Sequence, residues 1–198
     1  MKKKHEPIIF IISAPSGTGK GTLVNELLAT TGSLRRIITV TTRKKRVGEQ
    51  EGASYYFVSK KQFKEWIEND EFIEWNELYG DYYGTRKKYV ERVLCEAREI
   101  GDDLVLEIDV EGKENFIKHY KNTVTIFILP PSLDELKRRI WTRKAESETQ
   151  MQKRFDRAKK ELARKDTYLY QIINDEKEKA IIQLKKIIEK EREKHKKM

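Results

Sequence analysis

Ile8-Ile-Phe-Ile-Ile-Ser-Ala-Pro-Ser-Gly-Thr-Gly-Lys-Gly-Thr22-Leu23 constrains the fold of this chain more than any other stretch. The apolar run Ile8 to Ile12 predicts a buried strand, and Leu23, Val24, Leu27 and Leu28 predict the apolar face of a helix after it. Between them, Gly17, Gly19 and Gly21 allow a tight loop whose backbone N–H groups turn inward. Strand, glycine loop and helix N-terminus in this order form a cradle for a polyphosphate, because backbone amides and the helix dipole both favour anionic oxygens. The candidate donor-nucleotide loop is therefore Ala14, Pro15, Ser16, Gly17, Thr18, Gly19, Lys20, Gly21 and Thr22, with Lys20 as a mobile charge for the oxygens between the donor's last two phosphates. Two positions depart from the G-x-x-x-x-G-K-[ST] pattern. Ala14 stands at the first glycine, and Gly21 follows the lysine, which leaves Thr22 as the nearest hydroxyl for a metal ion.

The remaining pattern alternates strands with helices, which predicts an α/β fold with a parallel sheet covered on both faces. Arg36 to Thr42 reads as one β-branched strand, and Arg43, Lys44, Lys45 and Arg46 follow it at once, where α/β proteins usually bind ligands. Tyr55 to Val58 is extended, Ser59 caps a short helix ending near Asn69, and Phe72–Leu78 with Asp81–Gly84 form a hairpin about Gly80. Thr85 is expected to cap a helix running to Ile100 and stopped by Gly101. Leu104 to Asp109 and Val124 to Leu129 are buried strands separated by a helix over 111–119. Ser132 with Glu135 forms a capping box, and Ser147 with Gln150 starts the next helix after a mobile basic connection containing Arg143 and Lys144. Tyr168 to Ile173 is a last strand, Ala180 to Ile188 a closing helix, and Glu189 to Met198 a charge run that frays into solvent.

A chain of 198 residues supports one core, and 42 basic against 33 acidic residues, a net charge of +9, suit a phosphate-rich partner. No zinc spacing, helix-turn-helix signature or aromatic RNA-binding motif accompanies that charge, so small anionic substrates are expected and nucleic acid is not. The lone Cys95 points to a reducing compartment and to packing, and the three histidines form no metal set. No stretch approaches a membrane span, and the short apolar run after Met1-Lys-Lys-Lys-His leads directly into the phosphate loop, where cleavage of a leader would destroy the motif, so the protein is expected to be soluble and cytoplasmic.

A phosphate cradle with further arginine clusters predicts phosphoryl transfer between two phosphorylated ligands, in which the protein mainly aligns the reactants and neutralises charge. Lys20 serves the donor, Arg43 and Arg46 clamp an acceptor phosphate, and Arg139, Arg143 and Arg154 close over both. Glu74 and Asp109 are acceptor-only when ionised, although Glu74 taken alone reads first as a surface acid in a hairpin. Guanine offers adjacent N–H donors to such groups, whereas adenine facing a buried carboxylate would cost about a few kcal/mol.

In order along nearly the whole chain, Ser13-Ala-Pro-Ser-Gly-Thr-Gly-Lys20, Thr41-Thr-Arg-Lys-Lys-Arg46 with Gly48-Glu49, Tyr55, Phe57-Val58-Ser59, Glu71-Phe-Ile-Glu-Trp75, Tyr82-Tyr-Gly-Thr85, Ile108-Asp109 with Gly112, Ile128-Leu-Pro-Pro-Ser132 and Asn174-Asp175 resemble guanylate kinases, P-loop nucleoside monophosphate kinases. The resemblance implies ATP + GMP ⇌ ADP + GDP in purine nucleotide metabolism and GMP recycling, with Mg2+ on the donor phosphates and dGMP as a further acceptor. It implies a five-stranded parallel sheet in one domain, with core 1–38, 86–141 and 155–198, a β-rich GMP-binding insertion over about 39–85 and a lid over about 142–154. The insertion and lid would close on substrate and exclude water. By the same resemblance the GMP phosphate meets Arg43, Arg46, Tyr55 and Tyr83; the guanine meets Thr39, Glu74, Thr85 and Asp109; Arg139, Arg143 and Arg154 are lid-side arginines; and Asn174 approaches the ATP base. Glu107 stands where an aspartate is common, Thr142-Arg143-Lys144 lacks the usual flanking glycines, and the helix after Thr85 is about one turn longer than usual. Two alternatives stay open on the sequence: a catalytically silent guanylate-kinase-like interaction module, and an adenylate kinase, suggested by Gly19-Lys-Gly-Thr22. Monomer and homo-oligomer are both compatible with it.

Overall fold

The computed structural model describes residues 5–142 and 147–197. In chain order the elements are β1 (Ile9–Ser13), α1 (Lys20–Thr30), β2 (Leu34–Ile37), β3 (Val40–Thr41), β4 (Tyr56–Phe57), α2 (Lys60–Glu68), β5 (Phe72–Leu78), β6 (Asp81–Arg86), α3 (Lys87–Ile100), β7 (Asp103–Glu107), α4 (Val110–His119), β8 (Thr123–Leu129), α5 (Leu133–Trp141), α6 (Glu148–Leu162), β9 (Tyr170–Ile173) and α7 (Lys177–Lys196). A five-stranded parallel sheet has the order β2-β7-β1-β8-β9, and a four-stranded sheet the order β4-β3-β6-β5. Contacts group the chain into two compact units. One holds the described residues up to Ile9, Ser33–Glu107 and Glu111–Thr123; the other holds Phe10–Gly32, Ile108–Val110 and the described residues from Val124 onward. Among the described residues no helix is long and apolar enough to cross a membrane.

In the first unit, β2 runs parallel to β7 from Leu34↔Asp103 to Ile37↔Leu106. Val90, Val93, Leu94 and Ala97 form the buried stripe of α3, a spacing that puts all four on one helical face. Cys95 falls on the opposite face and is exposed, so the expectation of a packing role for it is corrected. The β5–β6 hairpin turns on Tyr79 (φ 55°) and Gly80 (φ 82°), both left-handed as a two-residue hairpin turn of the primed type requires. Phe63 of α2 stacks on Phe72 with ring centroids 4.4 Å apart and on Tyr82 at 5.4 Å, sealing the small sheet. Burial of such a ring contributes about 1.5–3 kcal/mol.

Two further expectations for this unit are corrected. The run Arg36–Thr42 is not one strand. Ile37 pairs with Leu106 in one sheet, whereas Val40 pairs with Tyr56 and Gly84 in the other, so the chain changes partners across Ile38 and Thr39. β-branched composition specifies extended backbone but does not name the neighbouring strand. Thr85 does not cap α3: it sits inside β6 opposite Glu74, and α3 begins after Arg86 with no side-chain cap.

In the second unit, β8 and β9 pair in parallel from Ile126↔Tyr170 to Leu129↔Ile173. The last strand starts two residues later than expected because a 3-10 turn over Lys165–Thr167 precedes it and Tyr168 is buried against Phe127, 4.8 Å between ring centroids. Ser147 and Gln150 make the complete capping box of α6. The box expected at α5 is half formed. Ser132 Oγ accepts from Glu135 N at 3.1 Å, but the Glu135 carboxylate is bound by Arg138 and Arg139 instead of returning to the cap. The expected fraying of the terminal charge run is also corrected, since α7 continues through Lys196. Buried Glu191 accepts from Tyr170 Oη and Lys194 Nζ, and both terminal nitrogens of Arg192 donate to Gly32 O at 3.3 Å.

Candidate active site

The donor side of the site grows out of β1, whose five residues are all buried and fix where the glycine loop begins. Thr18 is buried and folds the loop back on itself, donating from its N–H (3.3 Å) and its hydroxyl (2.8 Å) to Pro15 O. Asn174, at the end of β9, donates from Nδ2 to Thr18 O at 2.6 Å while its own N–H donates to Leu129 O at 2.8 Å. The loop is thereby tied to the ends of β8 and β9. Gly17 (φ 95°) approaches Leu136 and Ile140 of α5 so closely that a Cβ would lie 3.3 and 3.1 Å from their carbons. Gly19 (φ 85°) is the N-cap of α1, and no side chain caps the helix there. First-turn N–H groups without a capping side chain, on the positive end of a helix dipole, suit an anionic ligand.

Lys20 is the first residue of α1 and half-buried; Gly21 and Thr22 follow it on the exposed side, while Ala14 and Ser16 are half-buried and Pro15 is buried. Arg139 of α5 donates to Glu135 at 2.7 Å and to Asn174 O at 3.4 Å, which brings that arginine to the residue holding the loop. Arg138 and then Arg139 hold the Glu135 carboxyl down at about 2. Arg154 is buried on α6. Arg143 lies outside the described residues. Asp109 belongs to this same unit and accepts from Arg157 of α6 at 3.1 Å; Arg157 also donates to Glu161 at 2.8 Å. Burial raises the Glu161 pKa, against the lowering influence of Arg157 and of Lys20. Among the described residues no group of three or more His, Cys, Asp or Glu side chains could hold a metal on its own.

The acceptor residues of the first unit fall into two groups. In one, Arg43 leaves the end of β3, donating its backbone N–H to Thr41 Oγ1 at 3.2 Å. Its guanidinium carbon lies 5.5 Å from the Tyr55 ring centre and 5.9 Å from that of Phe57. Tyr55 in turn meets Tyr83 edge-on at 6.2 Å. Partial burial opposes the charge on Arg43, but Glu49 and Tyr83 outweigh it and keep the pKa above the ordinary arginine value. Burial, followed by the charge of Glu107, pushes the Tyr55 phenol up to about 12, so it stays a neutral hydrogen-bonding group. Arg46 is exposed, and its backbone N–H donates to Glu49 at 2.7 Å. In the other group, the strand register sets Glu74 of β5 opposite Thr85 of β6, both buried, and the Thr85 hydroxyl donates to the Glu74 carboxylate. Thr39 is buried at the partner switch between β2 and β3, its carbonyl accepting from Tyr56 N at 2.9 Å.

Expected site residues are thus assembled in three places: Lys20, Arg139 and Asn174 around the glycine loop, Arg43 with Tyr55 and Tyr83, and Glu74 with Thr85. Reasoning from sequence assigned no role to Glu49, Arg157 or Glu161. An acid six residues after Arg43 in an otherwise basic loop, and an acid one helical turn after Arg157, were the signals available for them. Arg36 was read only as the start of a strand, yet it pairs with Glu107 at 3.1 Å.

The guanylate kinase family model matches residues 6–191. The guanylate kinase of Carboxydothermus hydrogenoformans is 41% identical over 194 residues, covering 98% of this chain and 93% of that protein. The guanylate kinase of Rickettsia prowazekii is 40% identical over 195 residues, with 98% and 97% covered. The crystal structure of guanylate kinase from Anaplasma phagocytophilum superposes with a TM-score of 0.76 at 32% identity, covering 95% of this chain and 87% of that one. With a family match over almost its full length, and with the glycine loop, the arginine–tyrosine cluster and the Glu74–Thr85 pair formed, this chain belongs to the guanylate kinase family.

Proposed function

We propose that this chain transfers the terminal phosphoryl group of ATP to GMP, ATP + GMP ⇌ ADP + GDP, in purine nucleotide metabolism and GMP recycling. The observation that carries the acceptor's identity is the buried Glu74 carboxylate with Thr85 bound to it, in the same compact unit as the Arg43–Tyr55–Tyr83 cluster. A buried carboxylate selects a base that offers adjacent donors. Guanine does so through its ring N–H and exocyclic amine, whereas adenine would leave the charge facing an unprotonated nitrogen.

In this mechanism Arg43, Arg46, Tyr55 and Tyr83 hold the GMP phosphate, and Thr39, Glu74, Thr85 and Asp109 orient the guanine. The loop amides from Ala14 to Thr22 hold the donor phosphates. Lys20 with Arg139, Arg143 and Arg154 neutralises charge spreading over the phosphoryl group in transit, the largest contribution a protein makes to this reaction. Asn174 holds the loop through its hydrogen bond to Thr18 O and borders the ATP base. Mg2+ would be held largely through the donor phosphates and water, with the exposed hydroxyl of Thr22, the first one after Lys20 in sequence, as the protein group to meet it, and would supply further neutralisation of the donor phosphates. We extend the same reading to dGMP as a further acceptor. We assign the core to 1–38, 86–141 and 155–198, the GMP-binding insertion to about 39–85 and the lid to about 142–154, in a cytoplasmic enzyme acting on small nucleotides rather than nucleic acid.

A coupled assay of ADP formation with GMP, AMP, UMP and IMP as acceptors tests the assignment. GMP is expected to be used best, and IMP, which keeps the ring N–H but lacks the amine, at about one tenth or less of the GMP kcat/KM. Equal use of AMP and GMP would remove Glu74 from base selection.

A further inference from the structure

Glu49 is held by Arg43 as a phosphate would be. Both its carboxylate oxygens accept from the end of the guanidinium, Oε1 from Nη2 at 2.7 Å and Oε2 from Nη1 at 3.0 Å. Oε2 also accepts the backbone N–H of Arg46 at 2.7 Å, and the Glu49 N–H returns to Arg46 O at 3.2 Å. Nη1 of Arg43 donates further to Lys44 O at 2.7 Å. One carboxylate therefore closes the loop from 43 to 49 into a ring, fixing the guanidinium of Arg43 and the backbone of Arg46. The hydrogen bond from Arg43 keeps the Glu49 carboxyl ionised by lowering its pKa. Tyr55 and Phe57 flank the same guanidinium, so its position is restrained from the ring side as well.

A guanidinium has two edges that can grip a pair of oxygens: the end edge through Nη1 and Nη2, and the side edge through Nε and Nη2. Glu49 takes the end edge and not the side edge, and Tyr83, assigned to the same phosphate, is the other side chain hydrogen-bonded to this guanidinium. We infer that Glu49 is a positioning residue for GMP, orienting Arg43 so that its side edge receives the acceptor phosphate, an inference that rests on the phosphate-clamp role proposed for Arg43. A carboxylate that only competed with the phosphate would have no need to hold the Arg46 backbone. The long arginine side chain is ordered before substrate arrives, so less conformational freedom is lost on binding.

The test compares Glu49→Gln and Glu49→Asp with the wild-type enzyme, reading KM for GMP and for ATP, and equilibrium binding of GMP and of guanosine, which lacks the phosphate. Glu49→Gln should raise KM for GMP about tenfold, because the amide's NH2 cannot accept the second guanidinium bond. KM for ATP and guanosine affinity should stay within about twofold of wild type, and Glu49→Asp should recover part of the GMP loss. An unchanged KM for GMP overturns the inference. So does a lowered one, which would make Glu49 a competitor of the phosphate, and so does an equal loss of guanosine and GMP, which would make it a general prop of the loop. Arg43→Ala separates the two levels. If it leaves GMP binding intact, the clamp role itself fails; if it weakens GMP while Glu49→Gln does not, only the role of Glu49 fails.

Discussion

A methyl group added at Gly19 would lie 2.9 Å from Nδ2 of Asn174, the atom that holds Thr18 O, and the φ of 85° there is one that residues with a Cβ adopt at a cost. Gly19→Ala is therefore expected to lose about 1–3 kcal/mol of stability from backbone strain and displacement of the amide, and to weaken ATP more than GMP. Denaturant titration with nucleotide-binding isotherms checks this, and an unchanged unfolding midpoint would contradict it. The same neighbourhood marks how far single residues can be read from sequence. Lys20 and the glycines were legible because spacing alone carries a phosphate loop. Asn174 was assigned to the ATP base by resemblance, yet its amide also ties down a loop more than 150 residues earlier in the chain, a bond that no local pattern encodes. Glu49 was quoted as part of a motif but given no role, since six residues of sequence do not reveal a bidentate grip.

Elements marked by one apolar helical face, as in α2 and α3, or by an apolar run, as in β5 and β8, were legible to within a residue or two. Those that failed depend on a distant partner. The run 36–42 divides because its two ends pair with different sheets, and Thr85 is a strand residue because Glu74 stands opposite it. The end of α7 looks like a solvated charge run but stays helical beside β9, where buried Glu191 accepts from Tyr170 and Lys194. Removing Glu191 leaves the Tyr170 hydroxyl without that acceptor. Glu191→Ala is thus expected to cost about 1–3 kcal/mol in urea unfolding, and the double variant with Tyr170→Phe to cost less than the sum of the two single changes. Strict additivity would show that the pair is not coupled.

The balance of the whole chain is set by carboxylates whose ionised form the fold favours. Arg43 lowers Glu49; Arg138 and Arg139 hold Glu135 at about 2; for Glu191, burial opposes ionisation but the bonds from Lys194 and Tyr170 prevail. Each has a folded pKa below the ordinary value of 4.5, so each contributes stability that is present above 4.5 and lost as pH falls through the folded pKa. Glu161 has the opposite sign. Burial raises its pKa, so its contribution is present below 4.5 and lost as pH rises through the raised value, which partly offsets the other three just above 4.5. Acid also removes the negative charge of 33 carboxylates from a chain that already carries +9 at pH 7, leaving 42 Lys and Arg with 3 His to repel one another. The melting temperature should therefore be level near neutrality and fall progressively from about pH 4.5 towards pH 2. Added salt should raise it at the acid end, where repulsion dominates and few ion pairs remain to be screened. Calorimetric scans across pH at two ionic strengths decide the matter. A melting temperature still level at about pH 3, or one lowered there by salt, would mean that neither the paired carboxylates nor the net charge governs acid stability.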